Sequence, residues 1–458
     1  MTLQDYFASI RDKTVAVIGM GVSNTPLITA LLTAGCAVTV CDKKSRAELG
    51  ETAAQLEARG ATLRLGEDYL RDLDADVIFR TPGLHPDALG EAAARGSVIT
   101  SEMEVFFAVC PCPILAVTGS DGKTTTTTIL AKLLERAGYR VHVGGNIGHP
   151  LLTEADSMLP TDYAVLELSS FQLMTMTRSP HIAVVTNLAP NHLDMHHGMA
   201  EYVAAKENIF RHQGAGDIAI FNGDNALTRE QAERAPGGVL LFSRREEPAE
   251  GVFLRGDSIV SRRDGVEREI LKTGDILLPG VHNIENYMAA IAAVEGLVSP
   301  EIIRDFARSF SGVEHRIELV RTLRGVRYYN DSIASSPSRT IAGLRSFDQK
   351  VILIAGGYDK QLPFDVLGPE VVTHVKLLLL CGATADKIRA AVVAAPGYHE
   401  GAPEILQIDD FREAVETAAA RAVAGDVVTL SPACAAFDQF KNFMERGNTF
   451  RTIVSELK

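Results

Sequence analysis

Short apolar runs, each ending in a glycine-rich turn, recur in the first part of the chain. Residues 14–18 form such a run, and Gly19-Met-Gly21-Val-Ser-Asn24 follows it. This turn is close to the dinucleotide-binding fingerprint, but Asn24 stands where a third glycine would allow a helix to pack closely on the strand. A second predicted strand, residues 37–41, ends at Asp42, about where a ribose-binding acid would lie. Taken alone, the pattern is a weak signal for NAD, since an ordinary βαβ turn or a Rossmann-like domain for another nucleotide also fits it.

The first domain is expected to end near residue 110. A third predicted strand, residues 77–79, leads into the glycine loop Thr81-Pro82-Gly83, and open α/β sheets bind ligands at such strand ends. The segment Cys110-Pro-Cys-Pro113 then predicts a boundary, because its two prolines interrupt both helix and sheet. Residues 1–110 are therefore predicted to form a Rossmann-like domain.

The next stretch has the pattern of a phosphate-binding loop. Ile114 to Val117 is a predicted buried strand, residues 119–124 form a tight glycine turn, and residues 125–137 have helical spacing. Free backbone N–H groups and the helix N-terminus bind phosphates, Lys123 can reach further phosphates, and the Thr124 hydroxyl can hold Mg²⁺. Val117 stands where the full Walker pattern has a glycine, so the loop is a shortened variant. An ordinary glycine turn is the alternative, but the order of strand, glycines, Lys and Thr favours a nucleoside triphosphate.

Four further elements are predicted after this loop. Residues 143–148 form a glycine-rich loop, a strand at 164–168 presents Glu167, a strand at 182–187 runs into 191–194, and a helix at 199–210 carries Lys206. A carboxylate at a strand end beside a phosphate loop suits Mg²⁺, although a solvated glutamate would give the same pattern.

A histidine-rich segment follows the strand at 182–187. His192, Asp194 and His196 could suggest zinc, but no third ligand has the usual spacing. His196 and His197 are therefore predicted to be surface histidines.

The rest of the chain predicts a β-rich segment and then a third domain. Residues 222–280 are turn-rich with short alternating runs, and an alanine-rich helix follows them with Asn283 as its candidate cap. A second boundary is expected at 312–316. Beyond it, strands and helices alternate as in a parallel α/β domain; the predicted strands are 326–330, 351–355, 377–381 and 427–430, and the predicted helices are 337–346, 385–395 and 411–424.

The predicted fold is thus α/β with three domains: a Rossmann-like N-terminal domain (1–110), a central P-loop ATPase-type domain with a β-rich segment (111–312) and a C-terminal doubly wound parallel-sheet domain (313–458). The strand ends of the third domain are expected to converge on one edge and face the nucleotide.

Composition narrows the class of protein. The net charge of −13 makes nucleic acid an improbable partner, and no apolar run has the length of a membrane span. The N-terminus lacks a basic, apolar signal sequence, so the protein is expected to be cytoplasmic. The six cysteines are scattered, and Cys110-Pro-Cys112 lacks a second pair for zinc, so reduced thiols are expected.

Together these motifs resemble the Mur ligases, the ATP-dependent amide-forming enzymes of peptidoglycan precursor synthesis, over nearly the whole chain. The resemblance is carried by residues 119–124, 144–148, 167–173, 282–286, 312–316, 330–332, 431–443 and 445–447. The long C-terminal string is characteristic of the family member that adds D-glutamate to UDP-N-acetylmuramoyl-L-alanine. The resemblance implies a carboxylate–amine ligase of cell-wall biogenesis, linked to cell shape and division, that forms ADP and phosphate and works as a monomer.

The resemblance also implies roles for individual residues, each a candidate here. The catalytic candidates are Lys123, Glu167, His192 and Lys206. The ATP-binding candidates are Gly119, Ser120, Asp121, Gly122, Lys123, Thr124, Thr125, Asn283, Asn286, Arg316 and Asp331. The UDP-substrate candidates are Ser23, Asp42, Lys43, Lys44, Thr81, Pro82, Gly83, Asn146 and Ser169. The amino-acid candidates are Ser335, Lys360, Ala436, Phe437 and Phe443.

Two Mg²⁺ ions are implied, with Thr124, Glu167, His192 and a carbamylated Lys206 as ligands. Without the resemblance, an exposed helical lysine would be preferred for Lys206. Two positions depart from the commoner pattern of the family: Ile333 replaces a lysine and Ala436 replaces a hydroxyl residue, both in the amino-acid pocket. Arg339 could compensate for the loss.

Other functions remain open from the sequence. Another ligase of the superfamily, such as a folylpolyglutamate synthetase or the alanine-adding Mur enzyme, fits less well because of the C-terminal string. A nucleotide-regulated switch that hydrolyses ATP slowly would share the phosphate loop. A dehydrogenase would rest only on residues 19–24.

Overall fold

The computed structural model describes residues 1–191 and 195–458, and these residues form three sheets. The predicted class of three α/β domains is therefore confirmed. The described residues divide into two compact units, one comprising Met1–Thr273 with Glu285–Phe306 and the other Gly274–Ile284 with Ala307–Lys458. The first two sheets lie in the first unit and the third lies in the second. The domain boundaries at 110 and 312 stay predictions.

The first sheet is parallel, with the strand order β3-β2-β1-β4-β5. Its strands are β1 (Thr14–Ile18), β2 (Ala37–Asp42), β3 (Thr62–Leu65), β4 (Val77–Phe79) and β5 (Val98–Thr100). Its helices are α1 (Leu3–Ile10), α2 (Asn24–Thr33), α3 (Arg46–Ala58), α4 (Gly90–Ala94) and α5 (Glu102–Val109), and a 3₁₀ helix spans Pro86–Leu89. The apolar runs expected to be strands, 14–18 and 77–79, are β1 and β4, and β4 is buried along its whole length.

The second sheet has the strand order β14-β13-β12-β11-β10-β9-β6-β8-β7. Its strands are β6 (Ile114–Thr118), β7 (Val141–Gly145), β8 (Tyr163–Glu167), β9 (Ile182–Val185), β10 (Ile218–Asn222), β11 (Gly238–Ser243), β12 (Gly251–Arg255), β13 (Ser258–Arg263) and β14 (Val266–Lys272). Its helices are α6 (Lys123–Arg136), α7 (Ser170–Leu173), α8 (Met199–Glu207), α9 (Ala226–Ala232), α10 (Val281–Val294) and α11 (Pro300–Ala307), with 3₁₀ helices at Leu152–Ser157 and Thr273–Asp275.

Strand β6 pairs in parallel with both β8 and β9, so the phosphate-binding turn follows an inner strand whose residues are all buried. The predicted β-rich segment, residues 222–280, contains β11, which pairs in parallel with β10 and β12, and an antiparallel extension from β12 to β14. It also contains the helix α9, which was not predicted. Two local predictions are wrong. Residues 143–145 belong to β7 rather than to a loop, because they pair with β8. Asn283 does not cap α10, because that helix begins at Val281 and Asn283 lies within its first turn.

The third sheet has the order β15-β16-β20-β17-β18-β19. Its strands are β15 (Glu318–Leu323), β16 (Val326–Asn330), β17 (Val351–Ala355), β18 (Val375–Leu380), β19 (Glu404–Gln407) and β20 (Val427–Leu430). Its helices are α12 (Pro337–Leu344), α13 (Gly368–His374), α14 (Ala385–Val393), α15 (Phe411–Arg421) and α16 (Phe443–Glu456). The five neighbouring strands β16, β20, β17, β18 and β19 are parallel, as predicted. Strand β15 pairs with β16 as an antiparallel edge strand.

Among the described residues, no helix combines the length and the apolar character that crossing a membrane requires. All six cysteines are free thiols, and five of them are buried.

Candidate active site

The glycine turn at residues 119–124, predicted to bind phosphate, is packed so tightly that two of its residues must be glycine. Gly119 has φ +148° and Gly122 has φ +79°, a region that side chains avoid. A Cβ at Gly119 would overlap the Thr186 hydroxyl, and a Cβ at Gly122 would overlap the Asn286 amide oxygen. The same Asn286 oxygen accepts a hydrogen bond from the Thr126 hydroxyl at 3.2 Å. The backbone of the turn therefore packs directly, with no side chain between, against the end of β9 at Gly119 and against α10 at Gly122.

Other residues of the turn are fixed by the strand end beside it. Ser120 Oγ donates to the Ala189 carbonyl at 2.8 Å and lies 2.8 Å from the Tyr202 hydroxyl. The Asp121 amide donates to the Asn187 side-chain oxygen at 3.0 Å, and the Asp121 side chain is exposed. Thr125 is half-buried in the first turn of α6. These contacts fix the course of the backbone at the N-terminus of a fourteen-residue helix.

Oxygen atoms that could bind a metal ion lie together at the start of α6. Thr124 Oγ1 donates to Glu167 Oε2 at 2.7 Å, and Asn146 Nδ2 donates to Glu167 Oε1 at 2.7 Å. Glu167 is 2% exposed, so the alternative of a solvated strand-end glutamate does not hold. A hydroxyl and a carboxylate are the hard ligands that Mg²⁺ prefers. The Thr124 hydroxyl and the Glu167 carboxylate therefore suit a Mg²⁺ ion beside the predicted phosphate-binding loop.

Lys123 and Lys206 converge on the same carbonyl. Lys123 Nζ donates to the Gly119 and Ser120 carbonyls, each at 2.9 Å. Lys206 Nζ donates to the Gly119 carbonyl at 2.9 Å and lies 3.1 Å from Thr118 Oγ1.

Lys206 is 1% exposed, which excludes the exposed helical lysine considered from the sequence. Burial, and then the nearby Lys123 charge, hold the pKa of the Lys206 amine well below its usual value. A lowered pKa increases the fraction of the amine in its neutral form, which is the nucleophilic form.

The two described histidines of this region, His196 and His197, lie in different environments. His192 is a candidate that lies outside the described residues. His196 was predicted to be a surface residue, and this is wrong: its ring is 3% exposed, stacks on Phe171 and lies 2.9 Å from Ser170 Oγ. His197 is exposed as predicted.

The candidates for the UDP-linked substrate lie at strand ends of the first sheet and near β8. The Asp42 carboxylate accepts the Met20 amide at 2.8 Å and the Lys44 amide at 2.9 Å, so it supports the glycine turn after β1. Ser23 is half-buried at the start of α2, and Lys43 and Lys44 are exposed. Ser169 is the N-cap residue of α7 and forms a capping box with Gln172.

Sequence reasoning missed Arg80, which immediately precedes the Thr81-Pro82-Gly83 loop. Its side chain is 1% exposed and donates to the carbonyls of Leu84 at 2.7 Å and Phe171 at 2.7 Å, with longer bonds to Thr81 and Pro82. Burial lowers the pKa of the guanidinium to about 10, so it stays charged at neutral pH. An arginine that ends an apolar strand was the only signal in the sequence. Its Nη1 and Nη2 groups tie the loop after β4 to α7.

In the second unit, Asp331 lies at the end of β16. It is buried, accepts the Ser431 hydroxyl at 2.7 Å and the Ile317 amide at 3.3 Å, and burial raises its pKa to about 7 despite the nearby Arg316 charge. Asn283 belongs to this unit and donates to the Pro279 carbonyl at 2.6 Å.

A second arginine that the sequence reasoning left without a role, Arg446, joins the loops of the predicted amino-acid pocket. It is 3% exposed and donates to Ser332 Oγ at 3.0 Å and to the carbonyls of Ser332, Cys434 and Ala435 at 2.9, 3.0 and 3.2 Å. Ser332 Oγ in turn donates to the Phe443 carbonyl at 2.8 Å. The loop at Tyr358 pairs with Ala435 at 2.9 Å.

The structure thus brings the strand-end loops 330–333, 356–358 and 431–435 together with the start of α16. Ala436 is buried beside them, Ser335 and Phe443 are half-buried, and Lys360 and Phe437 are exposed. Arg339, considered as a compensating cation, donates to the Ile333 carbonyl at 3.3 Å.

Comparisons with known proteins agree with this arrangement. Residues 117–294 match the model of the Mur ligase middle domain, and residues 315–434 match the Mur ligase glutamate ligase domain. The chain is 52% identical to a UDP-N-acetylmuramoylalanine–D-glutamate ligase from Acetivibrio thermocellus, over 100% of this chain and 99% of that one. It is 48% identical to the corresponding ligase from Clostridium kluyveri, over 99% of both chains.

Solved structures share the fold at low sequence identity. The UDP-N-acetylmuramate–alanine ligase from Thermotoga maritima matches with a TM-score of 0.56 at 17% identity, covering 97% of this chain and 100% of that one. A UDP-N-acetylmuramoyl-L-alanyl-D-glutamate–2,6-diaminopimelate ligase also matches with a TM-score of 0.56, at 19% identity, covering 97% of this chain and 93% of that one.

The tight packing at Gly122 generates a test of the phosphate loop. We expect Gly122→Ala to weaken the binding of Mg²⁺ with a non-hydrolysable ATP analogue at least tenfold, about 1.4 kcal/mol, because the new Cβ displaces Asn286 or the turn. Titration calorimetry measures this affinity. Gly138→Ala is the matched control, since Gly138 follows the same helix with φ +94° but has open space around its Cβ position. Equal affinities in the two variants would contradict a phosphate-binding role for the turn.

Proposed function

The chain belongs to the Mur ligase family, and we propose that it adds D-glutamate to UDP-N-acetylmuramoyl-L-alanine with the hydrolysis of ATP to ADP and phosphate. The observation that carries the reaction class is the pair of oxygen ligands from Thr124 and Glu167, supported by the Asn146 amide, beside a glycine turn that only bare backbone can form. The choice of D-glutamate rests on the full-length relatives of 52% and 48% identity.

ATP solves a specific chemical problem in this reaction. An amine cannot displace oxide from a carboxylate at neutral pH, so the carboxylate of the L-alanyl group must first be phosphorylated to an acyl phosphate. In phosphoryl transfer the protein mainly positions groups and neutralises charge. The amine of D-glutamate then attacks the acyl carbon, and phosphate leaves from a tetrahedral intermediate whose negative charge needs positive groups nearby.

We assign the residues of the turn to the nucleotide. Gly119 to Thr125 would cradle the phosphates, and the Lys123 ammonium would move from the Gly119 and Ser120 carbonyls onto phosphate oxygens. Thr124 and Glu167 would hold Mg²⁺, with His192 as a further ligand. When bound, Mg²⁺ neutralises phosphate charge. Asn286, Asn283, Arg316 and Asp331 complete the ATP-binding candidates.

A carbamate on Lys206 is the finer part of this proposal. The neutral amine would attack CO₂, forming an N–C bond and releasing one proton, so that a buried amine becomes a carbamate anion that can hold a metal. Two observations support it: the amine is buried at 1% exposure, and it lies against Gly119, the first residue of the phosphate turn. Burial, and then the nearby Lys123 charge, lower the pKa of this amine, which favours the neutral form that reacts with CO₂.

The two remaining substrates are assigned to the outer domains. Ser23, Asp42, Lys43, Lys44 and the Thr81–Gly83 loop, with Asn146 and Ser169, would bind the UDP-linked substrate. Ser335, Lys360, Ala436, Phe437 and Phe443 would bind D-glutamate. We also propose domains at 1–110, 111–312 and 313–458, a monomer, and a cytoplasmic location.

The direct test mixes the reactants. With Mg·ATP, UDP-N-acetylmuramoyl-L-alanine and a panel of D- and L-amino acids, mass spectrometry should show one glutamyl residue added to the uridylyl compound with D-glutamate. Phosphate should appear only when both co-substrates are present. Steady phosphate release without the amino acid would favour a nucleotide-regulated switch. A mass gain with a different amino acid would contradict D-glutamate as the substrate and indicate the amino-acid specificity of another member of the family.

Lys206→Ala tests the carbamate. We expect activity to fall roughly 10- to 100-fold, as for loss of a group that supports a metal, and short carboxylates or bicarbonate to restore part of it. In wild-type protein equilibrated with ¹³CO₂, a carbamate carbon signal should appear by NMR and be lost in Lys206→Ala. Lys132→Ala is the control, since Lys132 is exposed and pairs with Glu135 at 2.7 Å. Unimpaired turnover in Lys206→Ala would discard the carbamate.

Lys360→Ala tests the amino-acid pocket. Since D-glutamate carries two carboxylates and Lys360 is the exposed cation of the loop after β17, we expect KM for D-glutamate to rise more than KM for ATP. Initial rates with each substrate varied separately measure the split. Lys350→Ala, an exposed lysine that donates to the Val372 carbonyl, serves as the control. An effect confined to KM for ATP would place Lys360 outside the pocket.

A further inference from the structure

A cluster of metal-binding side chains lies in the first unit and has no part in the proposed reaction. Among the described residues, His85, Asp87 and His197 each offer one ligand atom, and these atoms lie within 4.8 Å of one another. His85 and Asp87 come from the start of the 3₁₀ helix after β4, and His197 comes from the segment just before α8. The histidines are separated by more than a hundred residues, which is why zinc spacing in the sequence did not reveal them.

The distances suit a tetrahedral ion. His197 Nε2 lies 2.9 Å from Asp87 Oδ2, and His85 Nδ1 lies 3.3 Å from the same oxygen. Ligand atoms about 2.0–2.2 Å from a tetrahedral Zn²⁺ lie roughly 3.3 Å from one another. The two imidazole rings have centroids 4.7 Å apart. Small side-chain shifts would therefore be enough to surround one ion.

A fourth residue orients the cluster. The Glu201 carboxylate lies 3.3 and 3.4 Å from His85 Nε2, and it accepts the backbone amide of His197 at 2.7 Å. When Nε2–H donates to Glu201, the lone pair of His85 is left on Nδ1, the atom that faces Asp87 and weakly accepts the Asp87 amide at 3.3 Å. A carboxylate on the second nitrogen of a ligating histidine is the usual support of protein zinc sites. It is an observation independent of the three ligand atoms.

We propose that His85, Asp87 and His197 form a binding site for one divalent transition-metal ion of the Zn²⁺ class, with water in the open fourth position. Two imidazoles and one carboxylate select such ions, whereas Mg²⁺ prefers oxygen ligands. The side chains of Asp87 and His197 are 74% and 70% exposed, so an ion can enter from solvent. His85, at 19% exposure and held by Glu201, is the fixed ligand.

The ion would join two sheets of the first unit. Its ligands lie on the loop after β4, which begins with Thr81-Pro82-Gly83, and on the segment leading into α8, the helix that carries Lys206. A bound ion would therefore cross-link the loop after β4 to the segment leading into α8 and restrict the motion of one relative to the other. It supplies no group to the proposed reaction.

The test uses the full-length chain without an affinity tag, stripped with EDTA, desalted and kept in millimolar Mg²⁺ so that oxygen-rich sites are filled. Zn²⁺ is titrated calorimetrically, and Co²⁺ is followed by its visible absorption, which reports tetrahedral nitrogen and oxygen ligands. We expect one Zn²⁺ to bind, and His197→Ala and Asp87→Asn each to weaken that binding at least tenfold. Zn²⁺ should raise the midpoint of thermal unfolding of the wild type but not of His197→Ala.

Two controls separate this site from others. His149→Ala should bind Zn²⁺ as the wild type does, since His149 is also exposed and faces a carboxylate, that of Glu154 at 3.2 Å. His192→Ala should also retain binding, because His192 is a candidate of the ATP site and not of this one. Equal Zn²⁺ affinity in the wild type and His197→Ala would overturn the proposal, as would loss of binding in His192→Ala.

Discussion

The bare backbone of Gly119 is the point on which the central site depends. Its carbonyl accepts hydrogen bonds from both Lys123 and Lys206, while its Cα packs against Thr186 with no room for a side chain. Two lysines can meet at one carbonyl only if that carbonyl projects freely from the strand end. The same packing buries the Lys206 amine beside the Lys123 ammonium. Burial, and then the Lys123 charge, lower the pKa of Lys206.

Local patterns determined what could be predicted from the sequence. The strands at 14–18, 77–79, 326–330, 351–355 and 427–430 were predicted with the bounds they have, because an apolar run followed by glycine or polar residues is a short-range signal. The turn at 119–124 could be predicted for the same reason. The edge strand β15 was missed, since its residues are only partly buried and carry no apolar run.

Side-chain environments were harder to predict than elements. His196 and Lys206 both follow polar or mixed sequence, yet both are buried, because α7 and the phosphate turn cover them from elsewhere in the chain. Arg80 and Arg446 received no role from the sequence, since most of their partners are main-chain carbonyls that any residue can supply. Such burial and such contacts exist only in the folded chain, where segments that are distant in sequence lie side by side.

The Arg446 clamp has an evolutionary consequence. It fixes the loops beside Ile333 and Ala436 largely by their carbonyl groups, with Ser332 Oγ as its single side-chain acceptor. Neighbouring positions can therefore exchange one side chain for another while the path of the main chain stays the same. Selection can alter which small molecule the pocket accepts without first having to rebuild the scaffold. Ile333 and Ala436, the two positions that depart from the commoner pattern of the family, lie beside loops that are held in this way.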